Sequence, residues 1–408
     1  MTAIIDERGR LRNTVIPAAG LLLGMVFSAA LSVTSAAAQV PAAKITRAEF
    51  AAAYLRFERV LLGAKLAQGD EARVNREFDG LTLLFFTRQF GEAMRRLNAL
   101  TDSIDPQAAA MKAPEFASFR KQVEILRPGA EGLLAELESP APGTPALVQA
   151  RAAVKARLRL LTQPFDPENT AQMLMDPPAL WAQTQAETAA LKKGLDPFKG
   201  RTGDYWRVVR IGDREIPLRV YAPSPAGLFK PAALVIAFHG AGGDENMFMD
   251  GYGAGLIKRL ADQRKFLLVT PLTDAFRGIE TGPAFDSLLA ALGADYAIDP
   301  KRLYILGHSA GGMLTNRLAE LRGNKIAAAA CLCGFLGFSD QTRGIPRTLI
   351  VAGEFDPIAA PARIEPLFKK AREAGYPVEF RLIKNYGHTL LVARVLPEVI
   401  DWLLAVPR

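Results

Sequence analysis

Gly307-His308-Ser309-Ala310-Gly311 places a serine between glycines two residues before and two after it. A strand pattern at 302–306 runs into this G-x-S-x-G segment, and a helical pattern at 313–318 follows at once. Strand, sharp turn and helix is the setting in which a serine hydroxyl stands exposed at the carboxyl end of a sheet. The glycines leave room for the helix to cross the strand closely. A hydroxyl is a poor nucleophile at neutral pH, so it needs a base, and the base needs a third group to fix its tautomer. His388, in Asn385-Tyr386-Gly387-His388-Thr389, follows a late strand pattern and is the candidate base. Asp356, in Ala352-Gly353-Glu354-Phe355-Asp356-Pro357, follows the preceding strand and is the candidate orienting acid. Glu354 is its rival two residues away, and Asp356 is preferred because it lies further into the loop. Serine, then acid, then histidine is the chain order that such a sheet supplies. The other two of the three histidines, His239 and His308, are read as supporting residues.

Attack on a carbonyl creates an oxyanion that needs backbone donors. The N–H of Ala310, at the start of the helix, is one candidate. The loop His239-Gly240-Ala241-Gly242-Gly243, after an early buried strand, offers the second. Ala241 is the first choice there and Gly242 the second.

The elements that must hold these residues are legible from about Gly203 onward. Residues 205–211 and 215–221 read as two strands of a hairpin turning at Gly212-Asp213-Arg214. Apolar strand patterns at 233–238, 266–270, 302–306, 326–332, 348–352 and 378–383 alternate with helical patterns at 256–263, 284–296, after Ser309, 364–374 and 391–404. Such alternation predicts an α/β fold, a mostly parallel sheet with helices on both faces. Ser309, Asp356 and His388 would then share the carboxyl edge of the sheet, where ligands bind in open parallel sheets. Before this, apolar residues at helical spacing (Phe50, Tyr54, Phe57, Leu61; Phe86, Phe90, Met94, Leu97) and helical stretches near 116–138 and 146–161 predict an all-α module. Pro164, Pro167, Pro177 and Pro178 break 163–200 into short pieces. The predicted organisation is a leader at 1–38, a helical module at 39–202 and a catalytic α/β-hydrolase domain at 203–408.

The leader reading rests on Arg8, Arg10 and Arg12, an apolar stretch from Val15 to Val33, and the small-residue end Ala36-Ala37-Ala38. Cleavage after Ala38 is preferred to an uncleaved anchor; either predicts export, periplasmic or secreted, and after cleavage no stable membrane span is expected. The net charge of +8 is spread out, with no basic run or helix face, which argues against nucleic acid as a partner. The two cysteines, Cys331 and Cys333, are read as buried thiols of a core strand, both on one face. No metal-ligand spacing accompanies them, so no metal is expected.

The segments 239–246 and 299–313 also resemble exported α/β-hydrolase esterases, most nearly the polyhydroxybutyrate-depolymerase-like and feruloyl-esterase-like group. The similarity covers roughly residues 203–408. It implies a triad at Ser309, Asp356 and His388 and cofactor-free hydrolysis of carboxylic esters, small-molecule or polymeric. Two alternatives stand beside it. One is a serine peptidase of the prolyl-oligopeptidase type, whose usual N-terminal propeller is at odds with helical residues 44–138. The other is a partner-binding protein on a hydrolase scaffold, which would usually have lost a triad member.

Overall fold

In the computed structural model the described residues are 45–64, 66, 68–107, 116–139, 143–166, 176–211, 214–224, 231–276, 280–339 and 342–406. The predicted leader at 1–38 and Gly212-Asp213 of the predicted hairpin turn lie outside them.

Apolar stripes and N-terminal caps set the early helices. Helix α1 (Arg47–Gly63) starts at a reciprocal capping box between Thr46 and Glu49. It packs with α2 (Gln68–Phe86) and α3 (Phe90–Ile104) around Phe57, Val74, Phe78, Leu81 and Leu97, and Leu390 from far along the chain joins that cluster. Helices α4 (Phe116–Glu138), α5 (Pro145–Thr162) and α6 (Pro177–Lys192) instead share a buried cluster with the sheet, through Val123, Leu158 and Leu180. The buried Arg157 of α5 ties this group together, pairing with Glu187 of α6 and donating to the Trp206 carbonyl of the sheet. Pro177 and Pro178, expected to interrupt helical pieces, begin α6. Asp176 caps it by accepting from the Ala179 amide, and proline in the first turn has no N–H to leave unpaired.

The sheet has eight strands in the order β1-β2-β4-β3-β5-β6-β7-β8. Strands β1 (Gly203–Ile211) and β2 (Arg214–Ala222) pair antiparallel, and β2 pairs antiparallel with β4. From there β4 (Phe266–Pro271), β3 (Ala232–Phe238), β5 (Ile298–His308), β6 (Ala328–Leu332), β7 (Arg347–Gly353) and β8 (Val378–Ile383) run parallel. Strands β3, β4 and β6 are buried throughout, which is why they read as unbroken apolar runs. Helices α7 (Leu256–Arg264) and α11 (Leu391–Leu404) cover one face, while α8 (Thr281–Asp295), α9 (Ala310–Arg322) and α10 (Pro361–Glu373) cover the other. Strand order, mixed pairing at one edge and two helical layers together define the α/β-hydrolase fold.

The shared face expected for the two cysteines is corrected. Strand β6 ends at Leu332, and Cys333 beyond it adopts φ 51°. That turn sends Cys331 and Cys333 into different clusters, on opposite sides of the sheet. Both are free, buried thiols.

Helix α9 lies unusually close to the sheet. A Cβ added at Gly307 would collide with the Gly311 carbonyl, and one added at Gly311 with the Phe238 carbonyl. Both obstacles are backbone and cannot swing aside. Gly311→Ala is therefore expected to lower stability by about 3 kcal/mol, the upper end for overpacking, as a reduced urea midpoint with an unchanged slope.

Candidate active site

Ser309 sits in the tight link between β5 and α9 with φ 53° and ψ −116°. A non-glycine residue held there costs about 1–3 kcal/mol. Its amide donates to the Leu332 carbonyl at 2.8 Å, and its carbonyl accepts from the Met313 amide at 3.0 Å, so the peptide is pinned from β6 and from the helix at once. The residue is half-buried, and its neighbour Ala310 is the first residue of α9. At that position the Ala310 N–H has no acceptor within its own helix.

Asp356 and His388 meet at the same edge, in the loops after β7 and β8. His388 Nδ1 donates to Asp356 Oδ2 at 2.7 Å, and both residues are 2% exposed. The other carboxylate oxygen of Asp356 accepts from the Ile358 and Ala359 amides, each at 2.8 Å. Burial alone would raise this carboxyl, but the bond and charge of His388 and the two amides win and hold it below the usual carboxylate range. Its rival Glu354 is exposed and caps the neighbouring turn by accepting from the Asn385 amide at 2.8 Å.

The remaining histidines are spoken for. His239 Nε2 accepts from the Thr273 amide at 2.9 Å, which leaves Nδ1 as the donor to the Gly240 carbonyl at 2.8 Å. His308 Nε2 faces the His388 carbonyl at 3.0 Å and must donate to it, so Nδ1 accepts from the Tyr252 hydroxyl at 2.8 Å. Burial first, and then the neighbouring His388, lower His308 to about 3, so it is neutral.

The loop after β3 turns beside Ser309: a Cβ added at Gly240 would lie 3.3 Å from the Ser309 Cβ. The Gly243 amide donates to the Gly240 carbonyl at 3.1 Å, and Gly242 has φ 81°, as the third residue of a type II turn must. Among the described residues, the amides of Ala241 and Gly242 have no protein acceptor. Two residues from the early helices grip this turn. Arg47 Nη2 donates to the Gly242 carbonyl at 2.7 Å, and the Phe85 ring occupies the space a Cβ at Gly242 would need.

Cys333, Asp356 and His388 bring one donor atom each within 4.8 Å of one another. Burial, and then the charge of Asp356, push the Cys333 thiol well above its ordinary value.

Motif reading did not anticipate Asp79, which accepts the His388 amide, nor Cys333, Arg47 and Phe85. One signal was available for Asp79. Asn75 and Asp79 are four apart and both are buried beside Val74 and Phe78, an acid and an amide bordering the apolar stripe of a helix.

The fold is that of the α/β-hydrolases, and Ser309 lies in its strand-to-helix turn between β5 and α9. No family model matches the chain. It is 28% identical to feruloyl esterase B of Neurospora crassa over 178 residues, 39% of this chain and 60% of that protein. It is 29% identical to a bifunctional acetylxylan esterase/xylanase of Neocallimastix patriciarum over 164 residues, 38% of this chain and 24% of that one. The chain thus spans less than two thirds of either relative. A solved S-formylglutathione hydrolase from Staphylococcus aureus aligns with 50% of this chain and 99% of its own at 19% identity, with a TM-score of 0.41. The resemblance to feruloyl-esterase-like α/β-hydrolases read from the motifs is borne out by the two relatives. Among the described residues no helix is long and apolar enough to cross a membrane.

The neutral His308 sets a pH dependence. Unfolded, its pKa is about 6.5, so the unfolded chain takes up a proton that the folded chain refuses until about pH 3. Its depressed value thus contributes stability that is whole above the unfolded pKa and lost as pH falls through that window. Urea midpoints of the wild type and His308→Gln should therefore converge as pH is lowered from 7 to 4. A gap of constant width would show that His308 does not titrate as described.

Proposed function

We propose that the chain is a serine hydrolase acting on carboxylic esters through a Ser309–His388–Asp356 triad. The observation that carries this is the placement of a strained Ser309 on the same sheet edge as a buried His388 whose Nδ1 is held by Asp356 at 2.7 Å. With Nδ1 protonated and bound, the Nε2 of His388 is the ring's basic nitrogen. It takes the proton of Ser309 as Oγ attacks the ester carbonyl. The developing oxyanion receives the N–H groups of Ala310 and Ala241, with Gly242 as the alternative second donor. The tetrahedral intermediate collapses, His388 hands its proton to the leaving alcohol, and an acyl-enzyme remains. Water, deprotonated by His388, releases the acid and restores the serine. No metal or cofactor takes part in this sequence of steps.

The names of the two relatives support an ester whose acyl or alcohol part belongs to plant-polymer chemistry, such as a hydroxycinnamoyl ester. We assign the reaction to residues 203–408 and a supporting role to 39–202. The leader motif ending at Ala38 supports export.

Hydrolysis of p-nitrophenyl butyrate by the purified chain tests the reading. Ser309→Ala should lose at least about 1000-fold in kcat and all covalent labelling by a fluorophosphonate. Equal rates in both proteins would overturn it. Gly242→Ala meets both an unfavourable φ and the Phe85 ring, so the turn must shift. Its kcat should fall about 100-fold, the scale of a lost oxyanion donor, while fluorophosphonate still labels Ser309 slowly.

A further inference from the structure

We propose that Asp79 of helix α2 is a positioning residue for His388, and that the early helices thereby form part of the reacting centre. This rests on the serine-hydrolase reading given above.

Asp79 is 5% exposed, and its two carboxylate oxygens share the His388 amide at 3.0 and 3.2 Å. The chain has made room for it. A Cβ at Gly387 would collide with the Asp79 carboxylate, although Gly387 does not have the positive φ that would itself call for glycine. The carboxylate thus fills the place that a side chain at position 387 would occupy. His388 is consequently held at three points by three different parts of the chain. Asp79 takes its N–H, His308 donates to its carbonyl at 3.0 Å, and Asp356 takes its ring N–H at 2.7 Å. Two of these holds fix the backbone from which the imidazole projects, and only the third acts on the ring.

A structural need alone would not select an acid here. Burial raises the Asp79 carboxyl to about 7; the amides of His388 and Thr389 and the His388 charge oppose this, and the Asp356 charge adds to it. Cys333 also faces it, as a neutral thiol. An ionised carboxylate this close to His388 favours the imidazolium that forms when Ser309 gives up its proton, at the expense of a second negative charge near Asp356. A neutral acceptor would fill the site at lower cost but would hold the amide less strongly.

The test compares Asp79→Ala, Asp79→Asn and, as a control on the exposed side of the same helix, Glu77→Ala. Each is measured for kcat and KM on p-nitrophenyl butyrate, and by the downfield proton resonance of the His388–Asp356 hydrogen bond, which needs no turnover. Displacing a catalytic group by about 1 Å costs up to about 100-fold, so Asp79→Ala should lose about 10- to 100-fold in kcat with KM within about threefold. Its resonance should shift or broaden. Asp79→Asn, which keeps one acceptor oxygen but not the charge, should recover the resonance and only part of the rate, and Glu77→Ala should match the wild type. A folded Asp79→Ala with wild-type kcat and an unchanged resonance overturns the proposal. So does an equal loss in Asp79→Ala and Glu77→Ala. If Asp79→Ala does not fold, Asp79→Ser, too short to reach the amide, takes its place. A wild type that neither hydrolyses ester nor reacts with fluorophosphonate sinks the hydrolase reading, while the resonance still decides whether Asp79 positions His388.

Discussion

Ser309 keeps its left-handed backbone because the chain around it has no room to relax. Its amide is bonded to Leu332, its carbonyl to the Met313 amide, and α9 is pressed so close to β3 and β5 that only glycine fits at 307 and 311. Strain of about 1–3 kcal/mol at one residue persists only where the surroundings over-determine it, and here the over-determination comes from the buried parallel strands β3, β5 and β6. The hydroxyl is aimed by the sheet rather than by its own loop. The same sheet brings the β7 and β8 loops to the same edge, so one close helix crossing fixes where Ser309 stands relative to those loops.

The partners are held by a second kind of constraint, the need of buried polar groups for hydrogen-bond partners. Each buried histidine has a tautomer dictated by its neighbours. His239 accepts from Thr273 and donates to Gly240, and His308 accepts from Tyr252 and donates to His388. With both nitrogens of these two rings engaged, His388 is the histidine of the edge with a nitrogen left for chemistry. Glu58 extends the pattern into the early helices. It accepts from Tyr54 at 2.5 Å and from the Gly253 amide at 3.1 Å, and burial raises it to about 7 despite those bonds. Gly253 adjoins Tyr252, so α1 supports the residue that holds His308.

Much of the fold and of the candidate site was legible because its residues fall in local patterns. G-x-S-x-G, the acid after one strand and the histidine after the next each occupy a handful of consecutive residues, and strand periodicity alone places them on one edge. The preference for Asp356 over Glu354 likewise needed only the position of each in its loop. What could not be read were contacts between residues far apart in sequence. Asp79 and His388 are 309 positions apart, and Arg47 and Gly242 are 195 apart. The spacing of Asn75 and Asp79 at the border of the apolar stripe of α2 marks the acid, but no one-dimensional pattern says which backbone amide it meets. Two local readings also went astray for identifiable reasons. Pro177 reads as a breaker in the sequence, although proline after a capping aspartate is a helix start. Cys333 reads as part of a core strand, but β6 ends one residue earlier at Leu332, and a positive φ at Cys333 turns its side chain to the other side of the sheet.

Gly387 shows how the long-range and local levels meet. In the sequence it reads as a turn glycine next to the histidine. In the structure its backbone has no need of glycine, and the missing side chain is the space into which Asp79 projects. The same holds at Gly242, where φ does require glycine but Phe85 also fills the vacant side. In both loops that flank Ser309, the absence of a side chain in the hydrolase body is matched by the presence of one from the early helices. Complementary pairs of this kind specify a docked arrangement more sharply than apolar burial does, because an apolar face tolerates sliding and a carboxylate on a backbone amide does not. The early helices are therefore fixed in register against the two loops whose amides and imidazole the proposed mechanism uses.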